Sequence, residues 1–284
     1  MQTVSFPGGL FHPALGLGTW GMGESARARS GEVAAVRSAL RIGYRVIDTA
    51  EMYGEGGAEE VVGAALADAI RAGELRRDDV YIVTKAYPHH ASRRELPRAC
   101  ARSLARLGIE RIDLYLLHWR GSHPLDETVD AFERLRAEGR IERWGVSNFD
   151  VADVEALWSV GGGANCATNQ VYYSLTERGP ETALLPWMRA RGLPLMAYSP
   201  IDQGELARDP GLRRLAAARR CTAAQLALAW VLTQRDVMAI PKAMREPHLR
   251  ENFAAADIAL DAAELAALDQ LHPAPRRKRP LAMR

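Results

Sequence analysis

Three β-prone, largely apolar runs in the first half of the chain stop abruptly on an ionisable side chain, and this repeated event limits the possible folds more than any other feature. Arg45-Val46-Ile47 ends at Asp48, Val80-Tyr81-Ile82-Val83-Thr84 at Lys85, and Leu114-Tyr115-Leu116-Leu117 at His118. Short runs rich in β-branched and aromatic residues read as strands, and near-continuous apolarity means burial on both faces. A buried strand that finishes on a charge reads as the rim of a site. Just beyond Asp48 a loop offers the phenol of Tyr53, so four groups of catalytic type stand at or next to successive strand ends.

The segments between strands carry helical periodicity. A helix is expected from about Gly31 to Ile42, with Val33, Val36 and Leu40 on one face, and others through EEVVGAALADAI, DETVDAFERLRAEG (closed by Gly139), VADVEALWSV, ETALLPWMRAR and LRRLAAARR. Capping boxes at Ser92–Glu95 and Thr222–Gln225 open two more, and Asp261-Ala262-Ala263-Glu264 starts a final helix. The strands ALGLGTW, RVIDT, VYIVTK, DLYLLHW, RWGVSN, CATNQV, LPLMAYSP and VMAIP alternate with these helices, which implies a parallel sheet. No Pro/Gly/Ser linker divides the chain. The expectation is one α/β domain over residues 1–284, a (β/α)8 TIM barrel spanning 14–272. Residues 1–13 read as an N-terminal β-hairpin cap, TVSF and LFH around Pro7-Gly8-Gly9, closing the barrel bottom. The basic tail 273–284, PAPRRKRPLAMR, cannot bury a core face and is expected to be mobile, its charges a solvated run.

Charge excludes several partners. Thirty-seven Lys and Arg against 35 Asp and Glu leave a formal charge of +2, without the basic excess that nucleic acid or an anionic membrane surface selects. The N-terminus lacks the pattern of a signal peptide, and no apolar run reaches the ~18 residues of a membrane span. Cys100, Cys166 and Cys221 are odd in number and widely spaced, with no metal-ligand pattern, which points to reduced thiols, no metal and a cytoplasmic location. Nothing demands a protein partner, so a monomer acting on a small molecule is the default.

Asp48, Tyr53, Lys85 and His118 lie within GYRVIDTAEMYG, IVTK and DLYLLHW, and the stretches GVSNF, NQVYYS, AYSP and IPKAMREPHLREN follow in order. Together these span nearly the whole chain, which resembles the aldo-keto reductases, NAD(P)H-dependent carbonyl reductases built on a (β/α)8 barrel. The resemblance implies NADPH-dependent reduction of aldehydes and ketones, with Tyr53 as the general acid. A free phenol, pKa ~10, is a poor donor at neutral pH. Lys85, charge-balanced by Asp48, is expected to lower that pKa, and His118 to orient the carbonyl oxygen. By the same resemblance Ser147, Asn148 and Gln170 bond the nicotinamide carboxamide and Tyr198 stacks on its ring. The loop holding Ser199, Pro200 and Leu206 lies along the pyrophosphate, and Asn252 on the adenine side. Trp20 and Trp119 wall the substrate.

Lys242 matches the lysine for the 2′-phosphate, but two neighbours depart from the family pattern: Ala243 replaces a serine, and His248 an arginine. With Arg245 as partial compensation, NADPH is expected to be preferred over NADH by a reduced margin. Arg120 stands where the family usually has proline, placing a basic group near the mouth. Three alternatives conflict with the sequence. Gly16-Leu17-Gly18-Thr19-Trp20-Gly21 satisfies the dinucleotide pattern GxGxxG but lacks a strong strand before it and a helix after it. A regulatory nucleotide-binding subunit conflicts with the complete set of four catalytic groups. A metal-dependent hydrolase using His118, His123 and Asp48 lacks a clustered ligand set.

Overall fold

The computed structural model describes residues 2–284. Strands β1 (Thr3–Phe6) and β2 (Leu10–Pro13) form an antiparallel hairpin with Phe6 opposite Leu10. Phe6 and His12 pack against Tyr81, their ring centroids 6.2 and 3.8 Å from it. Tyr81 is the first residue of a barrel strand, so the hairpin covers the N-terminal end, as expected.

Eight parallel strands follow: β3 (Leu17–Gly18), β4 (Val46–Asp48), β5 (Tyr81–Ala86), β6 (Ile112–Leu117), β7 (Ile141–Ser147), β8 (Asn169–Tyr172), β9 (Leu195–Tyr198) and β10 (Val237–Ala239). Each pairs with its neighbours in chain order, and parallel bridges Leu15–Ala239 and Gly18–Lys242 join the first to the last. The fold is the (β/α)8 barrel anticipated from the alternation. Only two residues of ALGLGTW are paired as strand. A Cβ on Gly18 would lie 2.7 Å from the Ile240 carbonyl oxygen, so this glycine lets two backbones meet at the seam. The first glycines of the GxGxxG pattern serve barrel closure.

Helices α1 (Arg29–Ile42), α2 (Gly57–Arg71), α3 (Glu95–Leu107), α4 (Leu125–Ala137) and α5 (Val151–Trp158) cover the first half of the sheet. The second half is covered by α6 (Leu184–Arg189), α7 (Pro210–Ala218), α8 (Ala223–Leu232), α9 (Glu246–Ala254) and α10 (Ala262–Leu271). The boxes at Thr222 and Asp261 form completely. At Ser92 only half forms: its Oγ accepts from the Glu95 N–H at 3.1 Å, while the Glu95 carboxylate turns to Arg98. Gly139, φ 71°, stands just past α4 and donates its N–H to the Arg136 carbonyl. Helix α9 was not anticipated, because only Leu249 and Asn252 of its nine residues are buried and no apolar stripe marks it. The tail 273–284 has no helix or strand, but Lys278 pairs with Asp150 at 3.2 Å and Arg284 reaches the barrel mouth.

Among the described residues no helix is long and apolar enough to cross a membrane.

Candidate active site

The C-terminal strand ends converge on one cleft. Asp48 faces Val83 across the β4–β5 pair, and Lys85, two residues on and therefore on the same face, reaches back toward it. Lys85 Nζ donates to Asp48 Oδ1 at 2.6 Å, to the Thr49 carbonyl at 2.9 Å and to the Tyr53 hydroxyl at 3.2 Å, spending all three ammonium protons. Burial pulls the Lys85 pKa down, but the Asp48 charge, the nearby phenol and the hydrogen bonds to both outweigh it and the net direction is up. Burial pushes the Asp48 carboxyl up against the Lys85 attraction. Both its oxygens accept hydrogen bonds, as an ionised carboxylate does, so the pair stands as ammonium and carboxylate.

Tyr53 opens a 3-10 turn, Tyr53–Gly56. Gly54 has φ 57°, and a Cβ there would lie 2.6 Å from the Gly23 backbone, so the turn packs directly on the loop after β3. The expectation for its acidity needs correcting. Burial raises the Tyr53 pKa more than Lys85 lowers it, so the phenol sits above its ordinary value and is fully protonated at neutral pH. His118, just past β6, lies edge-on to Tyr53 with centroids 5.7 Å apart. Burial, then the Lys85 charge, hold its pKa well below 6.5, so the imidazole is neutral. Its Nδ1 is buried without a partner among the described residues.

A polar wall continues from these groups. Asn148, in the left-handed region at φ 59°, donates to the His118 carbonyl at 3.1 Å and accepts from the Tyr198 hydroxyl at 2.9 Å. Ser147 Oγ donates to the Gln170 carbonyl at 2.8 Å. The Gln170 amide donates to Asp48 Oδ2 at 2.7 Å, a contact the sequence reading missed: this side chain links the wall to the Lys85–Asp48 pair. Tyr198 lies nearly parallel to Tyr172, centroids 5.8 Å apart.

The cleft, about 370 Å³, is lined by Asp48, Tyr53 and His118 at its deep end, with Lys85 sealed behind them. Ser147, Asn148, Gln170, Tyr198, Ser199 and Pro200 form its side, and Lys242 and His248 its outer end. Three proposed cofactor residues stand back from it. Leu206 is buried and anchors its loop, Asn252 is buried in α9, and Arg245 is exposed and donates to His248 Nε2 at 2.6 Å. Trp20, 55% exposed, lines the rim, whereas Trp119 packs on His118, centroids 5.1 Å apart, and on Tyr87. Arg120 is spent on its own loop, donating to the Gly121 and His123 carbonyls at 2.8 Å each.

The sequence reading also missed Arg284 at the mouth. Its backbone N–H donates to the Tyr198 hydroxyl at 3.3 Å, its guanidinium pairs with Asp202 and it lies over the Tyr172 ring at 5.4 Å. Only the basic composition of the tail could have hinted at this, since its partners are far off in sequence.

Comparison with known proteins agrees with this fold. Residues 14–273 match the aldo/keto reductase family. The chain is 47% identical to the methylglyoxal reductase YeaE of Escherichia coli K12, over 99% of both chains. Crystal structures of an aldo/keto reductase from Klebsiella pneumoniae, one in complex with NADP and acetate and one with NADPH, superimpose with TM-scores of 0.94 for both. They share 51% and 50% identity with it, each over 99% of both chains.

Proposed function

The chain belongs to the aldo/keto reductase family, whose members are NAD(P)H-dependent oxidoreductases, and from that premise we propose that it reduces small aldehydes and ketones with NADPH, α-dicarbonyls of the methylglyoxal type included. One observation carries this reading. A chain of short contacts, Asp48 to Lys85 to Tyr53, opens into a cleft whose outer end carries Lys242 and His248.

The cleft suits a nicotinamide dinucleotide. Ser147, Asn148 and Gln170 present amide and hydroxyl groups where a carboxamide would bond, although Gln170 gives one amide proton to Asp48. Tyr198 is held in plane by Asn148 and by Tyr172 behind it, which leaves its other ring face for stacking. Ser199, Pro200 and the loop anchored by Leu206 run toward Lys242, the proposed 2′-phosphate ligand, with Asn252 behind. When bound, the cofactor supplies the hydride to the carbonyl carbon.

The protein's part is to polarise the carbonyl and deliver the proton. Tyr53 carries the proton, which passes to the carbonyl oxygen as negative charge develops there. The fixed ammonium of Lys85 then stabilises the phenolate left behind, so its effect falls on the transition state rather than on the resting phenol. Neutral His118 offers its cleft-side nitrogen to the same oxygen. Trp20 shields the rim and is free to pack on substrate.

At the outer end His248 is hydrogen-bonded to Arg245 and, as an imidazole, cannot offer the phosphate the two-pronged fork of a guanidinium. This supports an NADPH preference with a reduced margin. Three free cysteines support a cytoplasmic location, and we infer a monomer, which sedimentation would check.

The test is NADPH and NADH consumption with methylglyoxal, other glyoxals, simple aldehydes and ketones. Turnover that favours NADPH is the expected result. Tight NADPH binding without turnover of any carbonyl would contradict it and favour a regulatory nucleotide-binding role.

A further inference from the structure

We propose that Glu51 is a positioning residue for this reduction, locking the turn that carries Tyr53 to the strand exit that carries Lys85. Glu51 precedes Tyr53 by two residues and is only 5% exposed. Its backbone N–H donates to the Lys85 carbonyl at 3.2 Å. Its carboxylate reaches the same strand exit, where Oε1 accepts from the Tyr87 N–H at 2.6 Å and from His90 Nδ1 at 2.8 Å. Arg106 and Arg102 of α3 stand 3.9 and 4.0 Å from Oε2 and offset its charge. Main chain and side chain of one residue therefore tie the Tyr53 turn to the end of β5.

A second tie lies on the other side of Tyr53. Glu55 Oε1 accepts from the Tyr87 hydroxyl at 3.0 Å, so the phenol is bracketed by two carboxylates fastened to one short segment. The bracket holds a conformation that would not persist alone. Gly54 and Glu55 have φ 57° and 51°, and consecutive left-handed residues, one of them not glycine, need surroundings that enforce them.

The position matters because Lys85 is the only hydrogen-bond partner of the Tyr53 hydroxyl among the described residues, and at 3.2 Å this is the longest of the three Lys85 contacts. Stabilisation of a phenolate by an ammonium weakens with distance, and a displacement of about 1 Å can cost a hundredfold in rate. A buried carboxylate costs desolvation energy that an apolar side chain of similar size would not. What it supplies here is direction: two strong acceptor bonds that fix the turn against β5.

The inference rests on the reductase reading, and the experiment separates the two. Steady-state methylglyoxal reduction and NADPH binding are measured for the parent protein, Glu51→Ala, Glu51→Gln and Tyr87→Phe. Glu51→Ala is expected to lower kcat roughly thirtyfold to a hundredfold with the NADPH Kd within about twofold of the parent. Glu51→Gln, whose amide oxygen still accepts from the Tyr87 N–H, should recover to within about fivefold, and Tyr87→Phe, which loses only the Glu55 tie, should fall about threefold. An active parent with undiminished kcat in Glu51→Ala overturns the proposal alone. So does a Glu51→Gln as impaired as Glu51→Ala with NADPH binding lost in both, which is the mark of general misfolding. An inactive parent overturns the reductase reading and this proposal with it.

Discussion

The two ends of the cleft are built differently. At the deep end Lys85 and Asp48 are 0% and 2% exposed, every ammonium proton is spent, and the groups come from neighbouring strands of a closed sheet. At the outer end Lys242, Arg245 and His248 are all exposed and stand on a loop and the first turns of a helix with little buried surface. A buried, interlocked end fixes geometry to a fraction of an ångström and fails steeply when one member is removed. An exposed end acts through screened charge and degrades gradually. On the proposed function, chemistry belongs at the first and phosphate affinity at the second.

Lys85→Met is the sharpest way to break the contrast. It leaves the Asp48 carboxylate buried without its counter-charge, so unfolding measurements should show a loss of about 3–5 kcal/mol, and methylglyoxal turnover should fall by about a thousandfold or more. If stability is retained, the pair is not the rigid element described. Lys242→Ala probes the other end: NADPH Kd is expected to rise about tenfold by titration, with NADH affinity and kcat nearly unchanged. A matching loss for NADH would place Lys242 off the 2′-phosphate.

The hairpin at the opposite pole of the barrel supplies a control. Burial, then the Arg143 charge, lower the His12 pKa from 6.5 to about 4. Because the folded value is the depressed one, the unfolded chain takes up the proton first. The contribution is whole above pH 6.5 and is lost as pH falls toward 4. Full burial would make this about 3 kcal/mol, and the partly open ring reduces it to about 2. Replacing His12 by Phe should flatten the acid limb of stability in that window without altering activity at pH 7. The smallest effect is expected of pH on turnover. His118 lies well below 6.5 and Tyr53 above 10, so neither changes protonation between about pH 6.5 and 9 and kcat should stay level, within about twofold. A sigmoid centred near 6.5 would show that His118 titrates freely.

The deep end was legible in the sequence because a strand buried on both faces must be apolar, so Asp48, Lys85 and His118 stand out against their own runs. The barrel was legible for the same reason, together with helices opened by the boxes at Thr222 and Asp261. The outer end was less so: α9 presents no periodic stripe, and the family motif marked Lys242 and His248 without showing that Arg245 is held by His248. Glu51 left no trace in the sequence, since a single carboxylate in a loop has no period and its partners Tyr87 and His90 lie 36 and 39 residues away. Arg284 is a harder case, a terminal residue whose partner Tyr198 is 86 positions upstream. The double use of Gln170 was hidden as well, because a motif names a residue and only the fold shows that its amide also reaches Asp48.

The most direct test of the account is to separate binding from chemistry at Tyr53. Tyr53→Phe removes one oxygen at the deep end and leaves the wall and outer end intact. NADPH titration of the variant should give a Kd within about twofold of the parent, while methylglyoxal reduction falls by a hundredfold or more, in the range ascribed to loss of a general acid. Turnover within about threefold of the parent would contradict the account, because the proton would then come from another group and the Asp48–Lys85–Tyr53 chain would not be the catalytic element.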